Sequence, residues 1–232
     1  MIYVIDHIPL KTSYQRRPNI KMIPEYITIH NTGNPTSTAK NERAWLTSAD
    51  NTRQASYHIV VDQKEVIECM PLDEVAWHAG DGNGKGNKAS IGIEICESGD
   101  YEKNVDNAIE IVVKLMQTYN FTINQIKRHF DWSSKICPRL MYNQGSWQTW
   151  NIFLNRIQAR LVEMQKIDLL ELKVQELTKQ IEAIQHKNNM NVPDWSKLAV
   201  DQAVKNKLID SPNGGSIDFY RIITILHRKG LL

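Results

Sequence analysis

The segment 129–138 contains two residue types that bind soft metal ions, a histidine and a cysteine, with a lysine between them. Histidine nitrogen and cysteine sulfur are common ligands of zinc in proteins. Because a bound zinc ion uses at least three protein ligands, His129 and Cys137 need a partner from elsewhere in the chain. The best candidate is His30, which ends the alternating run at 26–30 that predicts a strand.

A strand histidine is more often a hydrogen-bonded structural group than a metal ligand, and this alternative stays open for His30. The period-two pattern places His30 on the face opposite Ile27 and Ile29, away from the apolar side of the strand. Catalytic zinc sites commonly combine three protein ligands with an open fourth position for water. The three side chains therefore predict a hydrolytic zinc site if the fold brings them together.

Hydrolysis at such a site also needs a general base and a group that stabilises an oxyanion. Glu94 is the predicted base, because it projects from the strand predicted at 91–96 beside Gly92, which leaves room for a ligand. Lys135, two residues before the cysteine, is a candidate for the oxyanion, and Tyr57 is another. The alternatives are a surface lysine and ordinary aromatic packing.

Three further side chains have predicted supporting roles. Asp131 is placed to accept a hydrogen bond from a metal-bound histidine, and His58 and His78 are predicted to line a substrate groove. The glycine-rich run 77–87 predicts an irregular loop. It lacks the GxxxxGK[ST] pattern and runs into a strand, so a phosphate-binding loop is not indicated.

Strands alternate with helices through the first two thirds of the chain, which predicts an α/β domain with a central mixed β-sheet flanked by helices. Strands are expected at 26–30, 56–62, 66–69, 91–96 and 122–128, and helices at 37–50, 104–119 and 145–157. The region 3–24 predicts an irregular N-terminal arm, with Arg16 and Arg17 in solvent.

The last third predicts a helical linker and a small α-helical module. Apolar residues at alternating spacings of three and four form a heptad seam at positions 167, 170, 174, 177, 181 and 184. A coiled coil that joins copies through 161–184 and a lone helical linker both fit this pattern. A helical hairpin from 192 onward should expose Trp195, Phe219 and Tyr220, for self-association or as a binding face. The expected domains are 1–157, 158–190 and 191–232.

Composition limits the classes of partner. The formal net charge of the 232 residues is +2, with neither end strongly basic, which argues against nucleic-acid binding. No apolar run approaches the roughly 20 residues of a membrane span. Three cysteines argue against a disulfide framework. The N-terminus lacks the pattern of a secretory signal, which predicts synthesis without export by that route.

The motifs resemble those of the type 2, zinc-dependent N-acetylmuramoyl-L-alanine amidases, which are related in fold to peptidoglycan recognition proteins. The matching pieces cover roughly 26–157 in family order: Ile-Thr-Ile-His30-Asn-Thr, Ser-Tyr57-His58-Ile-Val-Val-Asp, Ala-Trp77-His78-Ala-Gly-Asp-Gly, Ser90-Ile-Gly-Ile-Glu94-Ile-Cys and His129-Phe-Asp-Trp-Ser-Ser-Lys135-Ile-Cys137-Pro138.

The resemblance implies Zn²⁺ on His30, His129 and Cys137, with Glu94 near the attacked amide and Lys135 as the electrostatic stabiliser. Tyr57 matches a position that is catalytic in some members. The resemblance also implies a phage endolysin of a Gram-positive host, with clostridia among the candidate hosts. Such an enzyme is made in the host cytoplasm and reaches peptidoglycan through a holin lesion, and the C-terminal module would bind the cell wall.

Three alternatives remain at this point. The same scaffold could bind peptidoglycan without cutting it, or it could use zinc to cut a peptide bond of the stem peptide. An assembly protein built on the heptads, with a vestigial domain, is a third reading, which the complete ligand set disfavours.

Overall fold

The computed structural model describes residues 2–232. The chain divides into a compact unit that ends at Glu163 and a second unit, Met164–Leu232. The strands are β1 (Ile2–Ile5), β2 (Tyr26–Asn31), β3 (Ile59–Val61), β4 (Glu65–Glu68), β5 (Ser90–Ile95) and β6 (Ile126–Arg128). The α-helices are α1 (Ala39–Trp45), α2 (Lys85–Lys88), α3 (Tyr101–Tyr119), α4 (Phe130–Ser133), α5 (Gln148–Asn188), α6 (Lys197–Lys205) and α7 (Ile217–Arg228).

The first unit is built on one six-stranded sheet in the order β1-β4-β3-β5-β2-β6. Only the hairpin of β3 and β4 is antiparallel among the described pairings, and the others are parallel. The predicted α/β class with a mixed sheet is therefore confirmed. Parallel strands put their carboxyl ends at the same edge, and three of them, β5, β2 and β6, are neighbours.

The central strands are buried on both faces, as is usual for parallel strands covered by helices. Ile91, Ile93 and Ile95 of β5 are fully buried. The amphipathic helix α3 contributes Ala108 and Val112 to the core and begins at an Asp100 cap whose side chain accepts from the Lys103 amide. The helix therefore starts three residues before the predicted one, because the cap lies outside the apolar stripe.

The N-terminal region departs from its prediction in two places. The first strand, β1, pairs with β4 where an irregular arm was expected. Arg16 is fully buried, not solvated, and donates to the backbone carbonyls of Leu46, Asn51 and Arg53. Arg17 pairs with Glu74. The sequence predicted Arg16 and Arg17 in solvent because their partners lie in distant segments of the chain, which the local sequence does not reveal.

One helix, α5, runs from the first unit into the second. Trp150, Phe153 and Ile157 are buried in the first unit. The predicted boundary at 157/158 lies inside this continuous helix, and the division into compact units falls six residues later. The heptad residues of the second unit are exposed, from 43% at Ile167 to 61% at Val174.

The C-terminal hairpin of α6 and α7 has a core of its own. Tyr220 is fully buried in a cluster with Val200 and Ala203, so the prediction of an exposed Tyr220 is wrong. Its hydroxyl lies 2.9 Å from the carbonyl oxygens of Met190 and Pro212, partners that the helical period does not reveal. Trp195 is 50% exposed, as predicted. No helix among residues 2–232 combines the length and apolar character needed to cross a membrane.

Candidate metal centre and active-site cavity

The register of three parallel strands brings the predicted site residues together. His30 on β2 lies directly opposite Glu94 on β5. On the other side of β2, Ile29 pairs with Arg128, the last residue of β6. The next residue along each strand is a histidine, so His30 and His129 emerge side by side at one edge of the sheet.

The loop after β6 returns the third ligand to this edge. It begins with α4, which ends at Ser134 in the left-handed conformation, with φ at 60°. The Phe130 amide then donates to the carbonyl of Cys137 at 3.2 Å, which closes the loop. Asp131 does not orient a metal histidine as predicted, because its carboxylate accepts from the amide and guanidinium of Arg128.

His30, His129 and Cys137 form a buried group whose three ligand atoms lie within 4.8 Å of one another. The two histidine Nδ1 atoms are 3.0 Å apart, and Cys137 Sγ is 3.8 Å from His30 Nδ1. A tetrahedral zinc ion, with bonds of about 2.0 Å to nitrogen and about 2.3 Å to sulfur, holds such atoms about 3.3 to 3.6 Å apart. The spacing and donor types therefore fit zinc.

Burial controls the electrostatics of this cluster. It lowers the pKa of His129 to about 4, and the charge of Lys135 acts in the same direction. Burial also lowers the pKa of His30 well below its usual value, followed by the effects of His78 and His129. The pKa of the Cys137 thiol is raised to about 12, first by burial and then by Glu94. The site therefore disfavours isolated charges, and a divalent cation would compensate a thiolate here.

Glu94 is a buried carboxyl group beside the cluster. Its Oε1 lies 4.0 Å from His30 Nδ1, and its side chain is 15% exposed. Its Oε2 is buried without a hydrogen-bond partner among residues 2–232. Burial raises the pKa of Glu94 to about 8, with Glu42 adding to the shift and Lys135 opposing it. A carboxyl group with this pKa can hold or release a proton near neutral pH.

The cluster opens into a cavity of about 340 Å³. Glu94, His129 and Cys137 line it, together with the exposed Lys135 and the buried Tyr57. The Tyr57 hydroxyl donates to the Glu42 carbonyl at 2.8 Å. Its single proton is therefore used within the fold, and the geometry gives Tyr57 a place in the cavity wall in place of the predicted oxyanion role.

The two histidines predicted to line a substrate groove have different positions. His78 lines the cavity, and its Nδ1 is 3.0 Å from His30 Nε2. His58 does not line this cavity: it is fully buried, accepts from the Gly92 amide and has its Nε2 2.7 Å from the Glu74 carbonyl. The prediction for His58 is therefore wrong, since backbone groups from distant segments satisfy both ring nitrogens.

Two residues of the site were missed by the sequence reasoning. Arg53 lines the cavity and offers a second cation besides Lys135. Asn87, in the glycine-rich loop, accepts at 2.8 Å from the amides of both His78 and Ala79. The only sequence signal for Asn87 was its position at the end of the glycine-rich run that begins near His78.

The N-acetylmuramoyl-L-alanine amidase family model (Amidase_2) matches residues 20–140, which include the whole cluster. The chain belongs to this amidase family. N-acetylmuramoyl-L-alanine amidase CwlH of Bacillus subtilis is 43% identical over 158 residues, which is 66% of this chain and 60% of CwlH. The chain thus matches less than two thirds of that relative's length.

Solved amidase structures share the fold. The catalytic domain of XlyA superimposes with a TM-score of 0.62 at 38% identity, covering 68% of this chain and 99% of that domain. A mutant endolysin from Bacillus subtilis gives a TM-score of 0.61, also at 38% identity, over 68% of this chain and 99% of that chain. The first part of this amidase family member therefore has the same arrangement of sheet and helices as those structures.

Proposed function

We propose that this amidase family member hydrolyses the amide bond between N-acetylmuramic acid and L-alanine in peptidoglycan, with zinc as cofactor. The observation that carries the proposal is the buried cluster of His30, His129 and Cys137. His129 and Cys137 of this cluster line a cavity together with Glu94 and Lys135. The names of the relatives support the choice of bond.

Zinc in this site would supply Lewis-acid activation of water and polarisation of the scissile carbonyl. The two imidazoles and the thiolate would hold it. His30 lies on β2 and His129 follows β6, whereas Cys137 lies in the loop that the Phe130–Cys137 backbone hydrogen bond closes. This placement keeps the ligand geometry fixed, which is what a catalytic centre requires.

Glu94 is proposed to move the proton in this reaction. Its pKa of about 8 is close enough to neutral pH for both forms to be populated. The ionised form would take a proton from water, and the protonated form would return it to the leaving nitrogen of L-alanine. Its Oε2 is buried and has no hydrogen-bond partner among residues 2–232, so it can make the hydrogen bond that this transfer needs.

Lys135 is proposed to stabilise the negative charge that develops on the carbonyl oxygen. It lies on the cavity wall, and its charge lowers the pKa of both Glu94 and His129, which supports a role beside the cluster. A cation in this position would also attract the carboxylates of the stem peptide.

The C-terminal hairpin is proposed to bind the cell wall through a groove of about 370 Å³. Its lining combines an exposed aromatic face, apolar side chains and two cations: Trp195, Ile217, Arg221, Thr224, Ile225 and Arg228. An indole face suits a sugar ring, and arginine suits the carboxylates of peptidoglycan.

The exposed heptads of α5 are proposed to pair two copies of the chain through 161–184. Ile167, Val174 and Ile181 occupy the a positions, and leucine occupies two of the three d positions. This arrangement favours a parallel two-stranded coiled coil. Light scattering on the full chain should give a dimer that Leu177→Glu converts to a monomer, and a monomeric native chain would contradict the pairing.

The endolysin role, with synthesis in the cytoplasm of a Gram-positive host and release through a holin lesion, is also a proposal. It is supported by the similarity to an endolysin from Bacillus subtilis. Expression with and without a holin should give lysis only with the holin. Lysis at the same rate in its absence would contradict this route.

The activity is tested by digestion of purified cell walls. The proposal predicts new L-alanine amino termini and intact muramic acid in the soluble products. New amino termini on other residues would indicate a stem-peptide endopeptidase. Wall binding without any product would indicate a binding protein, and either result would contradict the amidase proposal.

A further inference from the structure

The glycine-rich loop between β4 and β5 supplies a side chain, His78, that contacts the candidate metal ligand His30. His78 is 7% exposed and lies against His30, with the two rings nearly perpendicular and their centroids 5.1 Å apart. Its Nδ1 is 3.0 Å from His30 Nε2, the nitrogen on the far side of the ring from the cluster. The other nitrogen of His78, Nε2, is 3.1 Å from the carbonyl oxygen of Ser90.

This chain of contacts has one consistent arrangement of protons. A carbonyl oxygen can only accept, so the Ser90 contact requires a proton on His78 Nε2. With its proton on Nε2, the imidazole of His78 has its lone pair on Nδ1, the atom that faces His30 Nε2. His30 must then donate from Nε2, which leaves the lone pair of His30 on Nδ1, facing His129 and Cys137.

We propose that His78 is a positioning residue, which fixes the tautomer and ring orientation of His30 so that Nδ1 is presented to the metal ion. Histidine ligands commonly donate their second N–H to an acceptor that orients the ring and raises its basicity. Here a second imidazole provides that acceptor, and the Ser90 carbonyl polarises it. This inference rests on the proposed zinc site.

Two neighbouring residues hold His78 in place. A Cβ on Gly92 would lie 2.7 Å from His78 Cγ, so the ring occupies the space that the missing side chain leaves on β5. The space was predicted for a ligand, but the ligand-orienting histidine fills it. On the loop side, Asn87 accepts from the His78 amide, and its own amide donates to Asp81. The glycine-rich loop therefore fixes the position of the His78 imidazole.

The decisive variants change only the acceptor. His78→Leu removes it, whereas His78→Gln keeps a carbonyl oxygen that can accept from His30. Zinc affinity of the full chain is measured by competition with a chromophoric chelator. We expect His78→Leu to weaken zinc binding about 10- to 100-fold, with a clearly smaller loss in His78→Gln. The exposed His186→Leu serves as the matched control and should bind zinc as the native chain does.

Equal zinc affinity in the native chain and a folded His78→Leu variant would overturn the proposal while leaving the zinc site intact. A native chain that binds no zinc would instead refute the proposed function. Gly92→Ala is an independent variant, because it displaces the ring without removing it, and it should weaken zinc binding in the same direction.

A spectroscopic measurement on the native chain avoids the risk that a variant fails to fold. Long-range proton–nitrogen correlation spectra of the zinc-free protein, with ¹⁵N-labelled histidine, report which ring nitrogen carries the proton. We expect His30 in the Nε2–H form and His78 in the Nε2–H form. An Nδ1–H form at His30 in the native protein would contradict the proposed role of His78.

Discussion

The strand ends of the first unit and the groove of the second unit expose their functional side chains to opposite degrees. His30 is 1% exposed and Cys137 is 5% exposed, whereas Trp195 is 50% exposed. Burial shifts pKa values and fixes donors in one geometry, as bond cleavage requires. The exposed indole of Trp195, beside Arg221 and Arg228, can contact a large polymer without a change in the fold. In the proposed function, the buried cluster hydrolyses the amide bond and the exposed groove binds the cell wall.

The largest expected effect comes from Cys137→Ser. Loss of the thiolate should reduce zinc affinity at least about 100-fold and wall hydrolysis more than about 1,000-fold, because the metal supplies several kcal/mol of transition-state stabilisation. Zinc content and release of soluble peptidoglycan measure the two effects. The matched control is Cys69→Ala, a buried thiol in an apolar cluster apart from the three ligands, which should retain zinc. A Cys137→Ser variant that retains zinc would contradict the proposed role of Cys137 as a metal ligand in the buried cluster.

Glu94→Gln should leave zinc bound but slow wall hydrolysis about 1,000-fold, within the usual range for a general acid or base. The reason is that the amide has nearly the same shape as the carboxyl group and cannot move a proton. Initial rates with zinc-saturated protein measure the effect. Glu110→Gln, which changes a carboxylate of α3 that pairs with Arg160 of α5, should keep the native rate. A native rate in Glu94→Gln would exclude the proton-transfer role.

Lys135→Ala should reduce kcat about 100-fold, the loss typical of one oxyanion-stabilising group. Lys135→Arg keeps the positive charge on the cavity wall and should recover part of that loss. Steady-state rates on a soluble muropeptide separate kcat from KM. A change confined to KM would assign Lys135 to substrate binding only.

The smallest expected effect on hydrolysis concerns the second unit. Trp195→Ala should weaken retention on purified walls about 10-fold, since exposed aromatic residues often dominate binding surfaces. Cleavage of a soluble muropeptide should not change. Co-sedimentation with walls and the muropeptide assay together test this expectation. Phe219→Ala, which removes a partly buried aromatic outside the groove lining, is the comparison variant. If Trp195→Ala reduced muropeptide cleavage as much as it reduces wall retention, the separation of the two regions would be contradicted.

The sequence predicts which residues meet at the candidate site better than it predicts the residues that orient them. His30, Glu94 and His129 could be placed because strand alternation and parallel register determine which residues meet at one edge. His78 could not, since its contact with His30 depends on how an irregular loop folds over β5. The buried position of Arg16 was missed for a similar reason, because its acceptors are carbonyls that local charge patterns do not reveal.

The C-terminal module shows the same limit in a smaller core. Helical periodicity predicted both helices, but it did not predict that Tyr220 would be buried with its hydroxyl near two backbone carbonyls. Long-range polar contacts of this kind depend on the complete fold, whereas helix period and strand alternation are local properties.

Zinc K-edge X-ray absorption on the full chain, loaded with one equivalent of zinc, tests the central claim most directly. The account predicts two nitrogen ligands at about 2.0 Å and one sulfur ligand at about 2.3 Å, with one further light atom. Cys137→Ser should lose the sulfur contribution. A native spectrum without sulfur would contradict the assignment of His30, His129 and Cys137 as the metal centre.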